Sequence, residues 1–208
     1  MADYETISLL LQQGRKAKVV EAVQAAMDEG APAQEILDEG LIAGMNVVGE
    51  RFKNNEVFVP EVLISARAMN AGVEVLKPAL TRAGVASKGT AVIGTVQGDM
   101  HDIGKNLVRM MLEGKGLRVV DLGVDVAPER FVEAAEENDA DVICCSALLT
   151  TTMGVMADVV KLAKEKGLRA KVLVGGSPVT QTYCDAIGAD GYSPDAASAS
   201  DLALSFCS

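Results

Sequence analysis

The most constraining feature of this chain is a series of short apolar runs in its C-terminal part. From Thr90 onward the runs read AVIGTV, LRVVDLG, ADVICCSA and AKVLVGG, and a weaker ADGY follows. Continuous apolar runs of this length are typical of strands buried on both faces, as in parallel sheets. Helical stretches separate the runs, near residues 103–115, 128–138, 152–167, 179–188 and 195–206. We therefore predict an α/β fold with a flavodoxin-like (Rossmann-type) five-stranded parallel sheet over residues 90–208.

The N-terminal part has a different pattern. From Asp3 to about Leu80 the apolar residues recur at helical spacing, and Gly14, Gly30–Pro32 and Lys53–Asn55 interrupt them. This predicts a bundle of four helices over residues 1–80. Residues 81–89 lose the periodicity and are rich in small side chains, which predicts a linker between two domains.

Charge and cysteine usage exclude several classes of protein. Nineteen basic and 29 acidic residues give a net charge of −10, and such a surface repels a phosphate backbone. We expect no nucleic-acid partner. The N-terminus has neither a basic region nor a long apolar run, and the four cysteines contain no CxxC, so we expect a reduced cytoplasmic protein that does not bind a membrane. Cys144 and Cys145 are interpreted as core residues of a strand.

Two loops should meet where the strand order of such a sheet reverses, namely residues 97–102 and 146–152. The first loop holds His101, the only histidine in the chain, between Asp99 and Asp102. An isolated histidine is more often structural than a ligand, but this position favours a ligand. A metal-binding imidazole commonly donates its second ring N–H to a carboxylate, and Asp99 is the candidate acceptor.

A single histidine cannot form an ordinary zinc site, because three or four protein ligands are needed. A metal held by a macrocycle needs only an axial donor. Gly98 and Gly104 then read either as backbone that approaches a large ligand or as plain turn residues. The second loop carries more hydroxyl groups than a helix cap requires, and Gly175-Gly176 would leave a slot beside the sheet. The hydroxyl groups belong to Ser146, Thr150, Thr151 and Thr152.

These residues form a recognisable combination. The pattern Asp99-x-His101-x-x-Gly104, then Ser146-x-Leu148, then Gly175-Gly176, resembles the cobalamin-binding signature of methionine synthase and of corrinoid methyl-carrier proteins. In the N-terminal part, GMNVVG from residue 44 and FVPEV from residue 58 resemble the helical cap that precedes the corrinoid domain in those proteins.

The resemblance implies a cofactor, cobalamin or a related cobamide, and a role for each matched residue. His101 would be the axial cobalt ligand, and Asp99 and Thr152 would complete a proton relay with it. Gly175 and Gly176 would line the slot for the nucleotide tail. Phe52, Val59 and Val62 of the cap would contact the upper face. The remaining cofactor-binding residues would be Gly98, Met100, Asp102, Ile103, Gly104, Ser146, Leu148 and Thr150.

The resemblance also implies that the protein carries a methyl group on cobalt and is not catalytic on its own. Its partners would be a substrate-specific methyltransferase, an acceptor methyltransferase acting on a thiol or a pterin, and a reductive activation protein. A subunit with chemistry of its own would need a substrate barrel, for which there is no room. A receiver domain would need an acidic pair after the first strand, where Thr95-Val96-Gln97 stands. A cobamide-dependent sensor is the alternative function.

Overall fold

The computed structural model describes residues 3–83 and 87–207, apart from the side chain of Thr81. The chain forms two compact units, Met1–Ala86 and Ser87–Ser208. Within the described residues, no helix combines the length and the apolar character needed to cross a membrane.

The first unit is helical, as predicted. Its elements are α1 (Tyr4–Gln12), α2 (Lys16–Asp28), α3 (Ala33–Glu35), a π-helical segment (Ile36–Ile42), α4 (Ala43–Lys53) and α5 (Val59–Arg82). Because α3, the π-helical segment and α4 follow one another without a break, they correspond to one of the four predicted helices. Asp3 caps the first helix by accepting the backbone N–H of Thr6 at 2.9 Å.

The last helix of this unit extends further than its sequence suggested. It continues through Pro78 to Arg82, two residues into the predicted linker. A proline removes one hydrogen bond of a helix without having to end it, and the guanidinium Nε of Arg82 donates to the carbonyl oxygen of Pro78 at 3.2 Å in the last turn. Residues 84–86 of the predicted linker lie outside the described residues.

The second unit contains the predicted parallel sheet. Its strand order is β2-β1-β3-β4-β5, and all four neighbouring pairs run parallel. The elements are β1 (Thr90–Thr95), α6 (Ile103–Gly114), β2 (Arg118–Asp121), α7 (Pro128–Glu137), β3 (Val142–Ser146), α8 (Gly154–Glu165), β4 (Lys171–Gly175), α9 (Gln181–Ile187), β5 (Gly191–Ser193) and α10 (Ala196–Ser205).

Helices cover both faces of the sheet, which explains the continuous apolar runs. One core joins the sheet to α7, α8 and α9 through residues such as Phe131, Val159 and Cys184, and the other joins it to α6 and α10. Cys145 belongs to the first core and Cys144 to the second, since successive side chains of a strand point to opposite faces. Their predicted role as buried core residues is confirmed. Burial raises the pKa of the Cys144 thiol to about 12 and also raises that of Cys145.

The strand order determines where a ligand can bind. The chain moves from β1 outward to β2 and then back across to β3, so the loops that follow β1 and β3 diverge to opposite sides of the sheet. The crevice between them lies at the carboxyl edge of the strands, where doubly wound sheets bind their ligands. Residues 97–102 and 146–152 lie at this edge, as the sequence indicated.

Candidate functional site

Asp99 is the centre of a hydrogen-bond cluster that joins the two loops. Its side chain has no exposed surface. The Oδ1 atom accepts the backbone N–H of His101 at 3.1 Å and lies 2.8 Å from the ring Nδ1 of the same residue. The Oδ2 atom accepts the backbone N–H groups of Leu148 at 2.8 Å and of Leu149 at 3.1 Å. One carboxylate therefore holds the histidine on one side and the loop after β3 on the other.

Thr152 adds a hydroxyl group to the same cluster. Its Oγ1 lies 3.0 Å from Oδ2 of Asp99 and 2.9 Å from the carbonyl oxygen of Leu149, and its single proton can be donated to either. The residue is buried. The structure thus brings together His101, Asp99 and Thr152, the three residues assigned to a relay from the sequence.

The protonation state of Asp99 follows from these contacts. Burial by itself would raise the pKa of the carboxyl group, but the N–H groups of Leu148 and His101, the His101 ring and the N–H group of Leu149 outweigh it. The net effect is a pKa well below the ordinary value of 3.8. An ionised Asp99 has only acceptor positions, so Nδ1 of His101 carries a hydrogen atom and donates it in the hydrogen bond to Asp99. The neutral imidazole then carries its lone pair on Nε2, the atom that a metal would bind.

The histidine is held firmly and yet remains accessible. Its side chain is 52% exposed. The backbone carbonyl oxygen of His101 accepts the hydroxyl proton of Thr95 at 2.7 Å, and Thr95 is fully buried at the end of β1. Sequence reasoning missed Thr95 and Leu149. A hydroxyl at the last position of a buried strand was the available signal for the former, whereas nothing in the sequence distinguishes the amide of Leu149.

Large exposed apolar side chains lie in the same two loops and at the start of α6. Met100 is 68% exposed, Ile103 77%, Leu148 43% and Leu149 41%. Exposed apolar groups clustered at one edge of a sheet mark a binding surface. Gly104 contributes open space, because a Cβ atom added there would meet nothing within 4 Å and its backbone has an ordinary φ angle. Its lack of a side chain serves no turn or packing need.

Gly98 and Gly176 have structural reasons to be glycine. Gly98 has a φ of +82° and packs against the Thr152 methyl group. Gly176 has a φ of +125°, and a Cβ atom there would lie 1.9 Å from the carbonyl oxygen of Ala147. The backbone itself therefore requires glycine at position 176, and the role of Gly176 in a ligand slot stays a prediction. At Gly175 the nearest atom to an added Cβ is the Ser193 carbonyl oxygen at an ordinary 3.5 Å.

The other candidates of this unit lie around the same edge. Ser146 ends β3 directly opposite Gly175 in the β4 register. Thr150 is exposed in the loop after β3. Asp102 precedes α6, is exposed, and accepts a hydrogen bond from the Asn106 side chain at 3.1 Å.

The candidates of the helical unit are less uniform. Phe52 and Val59 are partly exposed, but Val62 has no exposed surface. Val62 is a core residue here, since it lies on a buried stripe of α5 with Ala66 and Met69. Its assignment as a contact to a ligand face stays a prediction, and its burial argues against it. Phe58, which sequence reasoning did not assign to the site, is 64% exposed just before this helix.

The site fits a metal that brings its own macrocycle. Among residues 3–83 and 87–207, no group of three or more His, Cys, Asp or Glu side chains is arranged to hold a bare metal ion. One half-exposed imidazole of fixed tautomer, an apolar surface around it and an open glycine provide instead an axial donor and a face for a large planar ligand.

Comparisons with known proteins agree with this description. Two family models match, a B12 binding domain over residues 89–200 and a second B12 binding domain over residues 4–77. Dimethylamine corrinoid protein 3 of Methanosarcina acetivorans is 48% identical over 187 residues, covering 89% of this chain and 87% of that protein. A corrinoid protein of Desulfitobacterium hafniense is 45% identical over 190 residues, covering 89% and 88%.

Two solved structures share the fold of this chain. A chain of the methanol:cobalamin methyltransferase complex of Methanosarcina barkeri superposes with a TM-score of 0.85 at 34% identity, over 97% of this chain and 78% of that one. A cobalamin-binding protein of Desulfitobacterium hafniense has a TM-score of 0.83 at 32% identity and is covered over 99% of both chains.

The fold and the site together define a cobalamin-binding protein of the cap plus Rossmann-like type. More particularly, the chain belongs to the family of corrinoid proteins of methyltransferase systems.

Proposed function

We propose that this protein carries a methyl group between two partner enzymes, a substrate:corrinoid methyltransferase and a second methyltransferase that acts on a thiol or a tetrahydrofolate-type acceptor. The observation that supports this most is the His101–Asp99–Thr152 cluster at the switch point of the sheet. When bound, the cobalt of the corrinoid supplies the group-transfer chemistry, and the protein supplies ligation, orientation and exclusion of solvent.

The roles of the residues follow from their contacts. Nε2 of His101 would serve as the lower axial donor, and Asp99 would hold the ring by its Nδ1. The buried Asp99 carboxylate, 2.8 Å from Nδ1, would stabilise the positive charge of the ring whenever Nε2 holds a proton instead of the metal. The hydroxyl group of Thr152 donates a further hydrogen bond to Asp99.

The residues around this cluster would hold the rest of the cofactor. Gly98, Met100, Asp102, Ile103 and Gly104 would lie along the corrin, and Ser146, Leu148, Thr150 and the Gly175–Gly176 turn would lie along the nucleotide tail. Phe52 and Val59 of the helical unit would shield the upper face. The assignments in the α/β unit rest on position and exposure at one edge of the sheet, and those of Phe52 and Val59 rest on their partial exposure and on the match of residues 4–77 to a B12 binding domain.

Methylated amines are the donors that we would test first. Relatives 48% and 46% identical to this chain are named for dimethylamine and for trimethylamine, respectively. A reductive activation protein would be a further partner, because a cobalt centre of this kind has to be returned to its reduced state after accidental oxidation. The alternative function, a cobamide-dependent sensor, would bind the same cofactor without passing on a methyl group.

The axial assignment is tested by His101→Ala. The protein is reconstituted with hydroxocobalamin and reduced to cobalt(II), and its EPR spectrum is recorded. We expect nitrogen superhyperfine splitting in the wild type and none from the protein in the variant. Asp139→Asn, in the turn before β3 at the opposite edge of the sheet, serves as the control. An unchanged protein-derived nitrogen signal in His101→Ala would show that another group binds cobalt. Transfer of a labelled methyl group from a methylamine, with the partner methyltransferase present, then separates a carrier from a sensor.

A further inference from the structure

A residue outside the histidine motif holds the motif in place. Asp125 lies in the loop between β2 and α7, beside the loop that carries Asp99 and His101. Its Oδ1 accepts the backbone N–H of Gly98 at 2.7 Å, and its own backbone N–H donates to the carbonyl oxygen of Asp99 at 3.0 Å. These two hydrogen bonds form a reciprocal clamp between the two loops.

The backbone of Asp125 is in an unusual conformation. Its φ angle is +55°, in the left-handed region that non-glycine residues rarely adopt and in which aspartate is tolerated better than most. Gly98, on the other side of the clamp, also has a positive φ of +82°. Two turns with a positive φ angle therefore lie side by side, and the Asp125 side chain accepts the hydrogen bond of the Gly98 backbone N–H.

The clamp lies at the turn around Gly98, which determines where the Asp99 side chain points. Before Gly98 the chain is fixed by strand-like bonds, since Val126 N–H donates to the Thr95 carbonyl oxygen at 3.0 Å. After Gly98 comes Asp99, whose side chain orients the His101 ring. A change in the backbone angles of Gly98 or Asp99 would move the carboxylate away from the imidazole and from the amides after β3. Asp125 opposes that change from both sides: its carboxylate holds the N–H of the Gln97–Gly98 peptide, and its backbone N–H holds the carbonyl oxygen of the Asp99–Met100 peptide.

We infer that Asp125 is a positioning residue for axial ligation: through Gly98 it fixes the turn that presents Asp99 to His101. The inference rests on the proposed function, because it takes His101 as the cobalt ligand. It concerns a residue whose hydrogen bonds described above go to Gly98 and Asp99, and that sequence reasoning did not single out.

The test removes the side chain without straining the backbone. Asp125→Gly keeps the positive φ and loses Oδ1, whereas Asp125→Asn keeps both the acceptor and the conformational tolerance. Asp125→Ser, whose hydroxyl is one bond shorter, is a second loss variant. Asp139→Gly is the matched control, since Asp139 has a φ of +47° and lies before β3 at the opposite edge of the sheet.

Two measurements are made on each variant. In the cofactor-free protein, we expect the Gly98 amide to exchange faster in Asp125→Gly and Asp125→Ser than in the wild type. In protein loaded with hydroxocobalamin and reduced to cobalt(II), we expect a smaller fraction with nitrogen splitting. The dissociation constant for hydroxocobalamin should rise roughly tenfold, the low end of the effect of outer-shell partners. Asp125→Asn and Asp139→Gly should match the wild type.

Several results would overturn the inference. Unchanged spectra and affinity in both loss variants would do so, even with faster amide exchange, because the clamp would then not control ligation. The same holds if Asp125→Asn behaves like Asp125→Gly, since the acceptor would be irrelevant. Absence of nitrogen splitting in the wild type would instead refute the His101 assignment, and the exchange of the Gly98 amide would still decide whether the clamp exists.

Discussion

The two units of this chain are stabilised by different kinds of contact. In the helical unit, buried aliphatic side chains such as Leu11, Val23 and Leu76 fill the interior between helices. In the α/β unit, the cores are similar, but the carboxyl edge of the sheet is organised by directional hydrogen bonds that converge on Asp99. Apolar packing tolerates changes of shape, whereas a buried carboxylate with several donors permits one arrangement only.

Because of this difference, substitutions at the carboxyl edge of the sheet should destabilise the protein most. The largest loss of stability is expected at Gly176. Gly176→Ala places a Cβ atom against the Ala147 carbonyl oxygen and strains a positive φ. We expect a loss of more than about 3 kcal/mol in the free energy of unfolding, measured by urea denaturation.

Gly175→Ala is the matched control for this substitution. Its added methyl group has ordinary room beside Ser193, so the change in stability should stay within about 1 kcal/mol. If Gly175 lies along the nucleotide tail, Gly175→Ala should bind cobalamin less tightly than the wild type does. Both proteins should bind a truncated corrinoid without the nucleotide about equally well. Equal stability of the two alanine variants would contradict the distinction between them.

Asp99→Asn should have the next largest effect, and the effect should depend on pH. The side-chain nitrogen of asparagine cannot accept hydrogen bonds, so some of the N–H and O–H donors around position 99 lose their acceptor. We therefore expect the free energy of unfolding to fall by about 2–3 kcal/mol at neutral pH. Corrinoid affinity should fall by about 10–100-fold. Because the pKa of Asp99 is lower in the folded protein than in the unfolded chain, its contribution to stability is complete above the unfolded value and is lost as pH falls through the folded value.

The measurement is the difference in unfolding free energy between wild type and Asp99→Asn as a function of pH. It should shrink as the pH falls below about 4. A difference that grows below about pH 4 would mean that Asp99 is protonated in the folded protein.

The helical unit should respond in a smaller and less directional way. Val62→Ala should cost about 2 kcal/mol in stability, because it removes buried methyl groups, and it should leave the photolysis rate of the methylated cofactor unchanged. Phe52→Ala should cost less in stability, because the ring is partly exposed, but should speed photolysis if the ring shields the methyl face. Equal photolysis rates for Phe52→Ala and the parent would remove Phe52 from the shield.

The contrast between the units also explains what the sequence could predict. Buried strands and the crossing order of the chain leave a strong pattern, so the sheet and the meeting of the loops after β1 and β3 were predictable. His101 and Asp99 were predictable because His101 is the only histidine of the chain and Asp99 stands two positions before it, whereas Thr152 was named through the family resemblance alone.

Other features depend on contacts that no local pattern encodes. Helical periodicity reveals that one face of α5 is apolar, but not whether Val62 faces the interior or a ligand. The collision at Gly176 arises from Ala147, which is distant in sequence. The clamp of Asp125 requires knowing that the loop after β2 lies beside Gly98. Each of these depends on tertiary distances rather than on spacing along the chain.

The two adjacent cysteines of β3, Cys144 and Cys145, are nucleophiles that a protein carrying a methyl group has to keep unreactive. A thiolate is an efficient nucleophile toward an activated methyl group, whereas a neutral thiol is not. With the pKa of Cys144 raised to about 12 by burial, it is almost entirely protonated near neutral pH, and Cys145 is shielded in the same way on the other face. Burial thus protects these two thiols of the central strand, the ones placed just before the Ser146 end of β3, from methylation.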